Sequence, residues 1–253
     1  MIQLIKLLRN LFPERLKLRI RLLRRSAADA LTGRCGRFAT TAQDTSFGKM
    51  RCVLEIRQPI REHELSAAKI HNIGIAVSRI RGAVIPPGKI FSFWRMVGNP
   101  GEEQGYRAGR ALSDCRLGAE TGGGLCQLAG IIYHLALLSG MEILERHAHS
   151  VDLYADDERY TPLGTDAAVK YGYKDLRFRN VSGGPVSLDF TLGAEELKAR
   201  MMASRNLEPC AIDIAVTRTG SVVETRTRRA KPGSTEPELV AVSRYRTNDH
   251  HGG

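Results

Sequence analysis

Three consecutive glycines, Gly122-Gly123-Gly124, stand directly before Leu125-Cys126-Gln127 and a long apolar run. Adjacent glycines cost conformational entropy, so they belong where the backbone turns sharply or approaches something closely. Cys126 then falls in the first turn of a helix, among free N–H groups and at the positive end of the macrodipole. A cysteine so placed has its pKa lowered and becomes a better nucleophile. The same N–H groups suit an oxyanion, and Gln127 offers a second donor. A thiolate nucleophile wants a base, and Arg146-His147-Ala148-His149-Ser150 follows the helix. A helix over residues 127–139 spans roughly 20 Å, and a strand turning back at Gly140 covers that return in six or seven residues. His149 lies at the far end of that strand and reaches furthest back, which makes it the base candidate. His147 shares its face in a two-residue period. Asp166 or Asp152 would orient the imidazole. Two other readings of the same residues stand beside this one. Cys126, His147 and His149 are zinc-ligand types, but one distant cysteine and two histidines form a weak metal signature, so no metal and no cofactor are expected. The glycine turn could also serve packing alone, or cradle an anionic or peptide ligand with its N–H groups.

These groups need elements to position them. The spacing of Leu65, Ala68, Ile73, Ala76, Val77 and Ile80 predicts a helix over 65–80, closed by Gly82. Gln127 to Ser139 is the second main helix, with a stripe of Leu128, Ile131, Ile132, Leu135 and Leu138 and a stop at Gly140. A strand is expected over Glu142–His149. Ile85 to Lys89 reads as a rigid turn and Ile90 to Trp94 as a short strand. Residues 98–125 hold eight glycines and read as loop-dominated. Val169–Arg179 and Val186–Leu192 are expected to pair as an antiparallel hairpin across the turn residues 180–185. A further hairpin of Val222–Arg228 and Leu239–Tyr245 would turn at Lys231-Pro232-Gly233, before a frayed end at 248–253. The expected architecture is α+β: antiparallel strands, two main helices and a glycine-rich loop region. Four segments follow: a basic amphipathic arm over 1–32, a linker over 33–50, a core over 51–204 and a polar extension over 205–253.

Composition bounds the function classes. Apolar residues make up 42% of 253, enough for a core. No run of eighteen apolar residues suggests a membrane span, and the first residues lack a secretory signal pattern, so a cytoplasmic, membrane-peripheral address is expected. Cys35, Cys52, Cys115, Cys126 and Cys210 are odd in number and widely spaced, which argues against a disulfide framework and for reduced, partly buried thiols. Of the net charge of +11, residues 1–25 carry +7, from eight cations against Glu14. Within that arm Ile2, Ile5, Leu8 and Phe12 could share a helical face. Pro13 interrupts it, and Leu16, Leu18, Ile20 and Leu22 alternate, so the period is ambiguous. The arm either lies on an anionic membrane surface, each cation contributing roughly 1 kcal/mol near the headgroups, or packs on the domain with its charges solvated. Few aromatics and no recognised motif make nucleic acid a poor partner.

The segment Ile85-Pro86-Pro87-Gly88-Lys89-Ile90-Phe91-Ser92-Phe93, with Val97-Gly98, Gly105-Tyr106 and the Gly122–Gln127 turn, resembles the VanW family. So do Glu145–Ser150, Gly164–Val169 and Tyr171–Leu176, in order, over about residues 65–195. Thr121 departs from the small or apolar residue usual at its place. The resemblance is to the short, single-domain bacterial members, without the membrane anchor and the region assigned to peptidoglycan binding of longer ones. It implies a bacterial chain linked to the cell envelope and glycopeptide resistance, with cell-wall peptide or its precursor as partner, but supplies no reaction. The pattern Gly-Gly-Gly-x-Cys-Gln, then Arg-x-x-His-Ser, implies a site holding Gly122, Gly123, Gly124, Cys126, Gln127, Arg146, His149 and Ser150. His147 falls on an unspecified position, which weakens the metal reading. The enzyme expected from these residues is a Cys/His-dependent amidase, transpeptidase or hydrolase, with Cys126, His149 and Asp166 catalytic. The alternative is a non-catalytic binding module, peripheral at the membrane.

Overall fold

The computed structural model describes residues 13–40, 49–113, 116–152 and 161–247. The helical face of Ile2, Ile5, Leu8 and Phe12, the thiol of Cys115 and the end over 248–253 lie outside the described residues.

The fold is α+β and rich in antiparallel strands. The first helix among the described residues, α1 (Glu14–Leu31), starts directly after Pro13. The ambiguous period of its first turns resolves as helical, because Leu18 and Leu22 meet the chain at Gly172 and, further along the same face, Arg25 and Asp29 pair with the core. Next come β1 (Arg51–Pro59), α2 (Ser66–Ile80), β2 (Val84–Ile85), β3 (Ile90–Ser92) and α3 (Phe93–Val97). The strand expected to reach Trp94 ends at Ser92. There Ser92 caps α3, and buried Asp175 accepts from both the Ser92 hydroxyl and the Trp94 N–H.

The glycine-rich stretch is less loop-like than its composition suggests. Strands β4 (Ala108–Ser113) and β5 (Arg116–Thr121) form an antiparallel hairpin inside it. The second main helix, α4 (Leu125–Leu138), is apolar on nearly every side and runs through the core, with Leu128, Ile131, Ile132 and Leu135 fully buried. It leads into β6 (Glu142–Glu145), β7 (Val151–Asp152) and β8 (Arg177–Arg179). The strand expected over 142–149 stops at Glu145.

Strands β9 (Val186–Leu192) and β10 (Glu196–Ala203) form the hairpin, joined by β1 and β2 in the order β1-β10-β9-β2. The expected pairing of Val169–Arg179 with Val186–Leu192 is therefore wrong. Arg177–Arg179 sits in a separate sheet, β3-β8-β6. The reason is Asn180, which is fully buried. Its amide donates to Ile85 O (2.7 Å) and Gly184 O (2.9 Å), so the chain crosses between sheets instead of folding back. The core lies between α2, α4 and the β1-β10-β9-β2 sheet. The polar C-terminal stretch builds a separate sheet from β11 (Ala211–Thr219), β12 (Val222–Ala230) and β13 (Glu238–Thr247), with β7 added in parallel to β13.

Candidate functional site

The glycine turn positions Cys126 by close packing. A Cβ on Gly123 would lie 2.2 Å from the Gly109 carbonyl carbon, and one on Gly124, at φ +101°, would lie 2.7 Å from Lys69 Cγ. Asn72 of α2, fully buried, clasps both sides: its amide donates to Arg107 O (2.9 Å) and Gly123 O (3.0 Å), and its oxygen accepts from Arg107 N (2.8 Å). The N–H groups of Gly122 and Gly123 are used within the fold, on Arg107 O and Glu120 O. Gly122 and Gly123 therefore do not form the open anion cradle considered from the sequence; their N–H groups close the β4–β5 hairpin onto α4.

Cys126 lies in the first turn of α4 and is partly exposed. Val169 N–H points at its sulphur (3.5 Å). Among the described residues, no backbone acceptor takes the Cys126 N–H, so it is open to an acceptor from outside the fold. The His149 ring lies close enough to the thiol for the two to interact electrostatically. Its Nδ1 meets Asp166 Oδ2 at 2.6 Å, and the His149 N–H donates to the same oxygen at 2.8 Å. With Nδ1–H turned to the carboxylate, Nε2 is the nitrogen that faces sulphur.

Asp166 is held from every side. Arg146 Nη2 (2.7 Å) and the Tyr245 hydroxyl (2.6 Å) both donate to its Oδ1, and Arg146 Nε donates to its backbone carbonyl (2.7 Å). Arg146 also reaches Ser243 Oγ and lies over the Tyr133 ring. Gly130, one turn along α4 from Cys126, keeps the helix surface bare where Asp166 and Ala167 cross it. The segment 164–169 thus delivers both the carboxylate that holds His149 and the N–H that faces sulphur.

The charges follow from this packing. Burial pushes the Cys126 thiol up, but the His149 hydrogen bond and charge outweigh it and hold the thiol below its ordinary value. Burial opposes the imidazolium, yet Asp166 and Cys126 raise His149 to about 10. Asp166 is lowered well below the usual carboxylate range, its burial overcome by His149, Arg146 and Tyr245. Burial and the neighbouring carboxylate push Tyr245 up to about 12. The directions at Cys126, His149 and Asp166 all favour charge separation between the thiol and the imidazole, backed by a carboxylate.

The remaining sequence candidates separate. Arg146 is almost fully buried and binds Asp166, so it positions the carboxylate instead of meeting a ligand. Gln127 donates its amide to Pro59 O (2.9 Å), tying α4 to the end of β1 and not to the thiol. Ser150 is exposed, and its carbonyl accepts from Arg246 N in the β7–β13 register. Asp152 lies on β7, so Asp166 is the partner of His149. His147 turns to Glu145 (3.0 Å), which takes apart the zinc set, and no group of three His, Cys, Asp or Glu among the described residues could hold a metal. Of the thiols expected to be mostly reduced and partly buried, Cys126 is intermediate and Cys210 buried, whereas Cys35 and Cys52 are exposed. Tyr245, Ser243 and Tyr133 escaped the sequence reading. A polar alternating strand gives no sign that Tyr245 reaches the Asp166 carboxylate some eighty residues earlier, or that Ser243 accepts from Arg146.

Comparison with known proteins places this geometry in context. No solved structure matches the chain. Over 137 residues, 54% of the chain and half of the relative, it is 28% identical to the "Vancomycin B-type resistance protein VanW" of Enterococcus faecalis. Over 119 residues, 47% of the chain and 38% of the relative, it is 29% identical to the "Uncharacterized protein YoaR" of Bacillus subtilis. The chain thus spans half or less of the length of these curated relatives. The matched part of a family model described as "VanW like protein" runs over residues 68–202, more than half of the chain, and takes in Cys126, His149 and Asp166. The protein belongs to the VanW-like family.

Proposed function

We propose that the protein is a cysteine-dependent acyl-transfer enzyme of the cell envelope, an amidase, transpeptidase or hydrolase acting on cell-wall peptide or its precursor. One observation carries the chemical part: His149 is fixed between the Cys126 thiol and a fourfold-bonded Asp166 carboxylate. The envelope part draws on the vancomycin resistance in the name of the Enterococcus relative. The reading also includes a peripheral association with the membrane through the basic segment 1–25. Among the described residues no helix is long and apolar enough to cross a membrane.

In the reaction, the Cys126 thiolate attacks the carbonyl carbon of an amide or ester. A C–S bond forms and the carbonyl π pair moves to oxygen, where the Cys126 N–H stabilises it. The tetrahedral species collapses, the C–N or C–O bond breaks, and His149 Nε2 gives its proton to the leaving group. Water or an amine, deprotonated by His149, then attacks the thioester and releases Cys126. Asp166 holds the imidazole in the required tautomer throughout.

The test is trapping. The chain is incubated with peptides bearing cell-wall amides and esters and read by mass spectrometry. An acyl adduct on Cys126, absent from Cys126→Ala and strongly reduced in His149→Gln, is expected. No adduct from any such substrate, with Cys126→Ala keeping all wild-type cellular function, would refute the enzyme and leave a binding role.

A further inference from the structure

Helix α1 has two working faces. The inner one is locked to the core. Leu18 and Leu22 pack at Gly172, Arg25 pairs with Glu145 (2.6 Å), and buried Asp29 pairs with Arg177 (2.8 Å). Arg177 in turn binds Asp175 (2.8 Å), also buried. Breaking a buried pair by removing one partner is strongly destabilising, so α1 cannot roll to hide its other side.

That other side is apolar. Leu16, Ile20, Leu23 and Leu31 are exposed, Leu23 at 70% and Leu31 at 89%. At 3.6 residues per turn they fall on one stripe. Exposed Arg19 and Arg24 flank the stripe on opposite sides, and Arg15 adds a third cation. Single exposed aliphatics need no explanation, but a stripe of four with a charged rim marks an interaction surface. The rim decides between occupants. The acid of the first turn, Glu14, is engaged by Lys17, so the outward face presents cations beside apolar side chains. An apolar protein partner gives arginines on both flanks nothing to meet. A bilayer with anionic headgroups takes both, the side chains entering the acyl boundary and the guanidinium groups staying among phosphates.

We propose that the outward face of α1 docks on an anionic lipid bilayer, with the helix lying in the plane of the surface. This rests on the peripheral part of the function proposed above and is independent of the thiol chemistry. It also ties location to the site, because Glu145, gripped by Arg25, directly precedes Arg146, which grips Asp166.

The experiment is sedimentation of the full chain with phosphatidylcholine vesicles, with and without phosphatidylglycerol. Binding only to the mixed vesicles, weakening as salt rises, is expected. Arg19→Gln with Arg24→Gln should weaken it about 30-fold. Leu16→Ser, Ile20→Ser and Leu23→Ser together should bring it to background in a protein that still unfolds cooperatively, since none of the three belongs to the buried core. Equal binding to neutral vesicles, or full binding by the triple variant, overturns the proposal. So does a wild-type dimer that ignores vesicles and becomes monomeric in the triple variant, which would assign the face to a second copy. The pH profile of Cys126 alkylation, taken on the same samples, reports the thiol chemistry separately.

Discussion

His149→Gln tests the site where its electrostatics are sharpest. In the wild type two effects oppose each other at Cys126: burial disfavours the thiolate, and the His149 hydrogen bond and charge favour it strongly enough to win. Glutamine keeps the volume and a donor but loses the cation, so burial prevails and the thiol moves above its ordinary value of about 8.5. A hydrogen bond to a charged group contributes about 1.5–3 kcal/mol. Its loss lowers the thiolate population at neutral pH about 10- to 150-fold. The remaining thiolate is more nucleophilic, with a Brønsted slope of about 0.4–0.5, so the observed alkylation rate falls by roughly the square root, about 3- to 12-fold. The assay is iodoacetamide labelling across pH, resolved by mass spectrometry. Exposed Cys35 and Cys52 act as internal references that the substitution should not move. An unchanged rate and midpoint at Cys126 in a folded His149→Gln protein would show that the imidazole does not polarise the thiol, and the proposed chemistry would fall with it.

Three further outcomes follow from the same contacts. Gly123→Ala should destabilise the fold, because the new methyl meets Gly109 backbone that cannot swing aside; an overpacking cost of about 1–3 kcal/mol lowers Tm by roughly 2–12 °C, and an unchanged melting curve would refute the close-approach account. Tyr245→Phe and Asp166→Asn should couple in a double-mutant cycle of thermal stability by about 1–3 kcal/mol, whereas additive losses would remove Tyr245 from the carboxylate's support. Glu145 is held down to about 2 by His147 and Arg25 against its own burial. A lowered carboxylate contributes stability that is present above its ordinary value of about 4.5 and lost as pH falls through the folded value, here on the order of 3 kcal/mol. Urea unfolding of Glu145→Gln should therefore show a flatter loss between about pH 5 and 2, and an acid limb as steep as wild type would contradict the pairing.

Local signals in the sequence located one half of the site and were silent on the other. A triple glycine before an apolar run marks a helix start, and that alone puts Cys126 in the first turn of α4. His149 followed from a return path of the right length, although the strand expected to carry it ends at Glu145. Asp166 was one of two carboxylates within reach, and no local pattern separates it from Asp152. What separates them is long-range: Arg146, just past the end of β6, and Tyr245 of β13 converge on Asp166. The misassigned hairpin has the same origin. The alternation of Val186 to Phe190 correctly marks a strand, but its partner depends on where buried Asn180 sends the chain, and that is set by Ile85, nearly a hundred residues away.

The glycine turn shows why packing and chemistry need not be competing explanations of one motif. Gly123 is required by Gly109, Gly124 by Lys69 and Ile73, and none of these contacts involves a ligand. Yet they fix where α4 begins, and a helix displaced by one residue would turn its second position about 100° away from His149. Asn72, which clasps Arg107 and Gly123, is fully buried and more than fifty residues from Cys126 in the chain. Its replacement by leucine would leave the thiol, imidazole and carboxylate intact while unpinning the turn that aims them. Asn72→Leu should therefore slow Cys126 alkylation together with a loss of thermal stability, whereas Tyr245→Phe acts through Asp166 and His149. A normal Cys126 profile in a folded Asn72→Leu protein would show that α4 holds its register without the clasp, and that the glycines serve the hairpin alone.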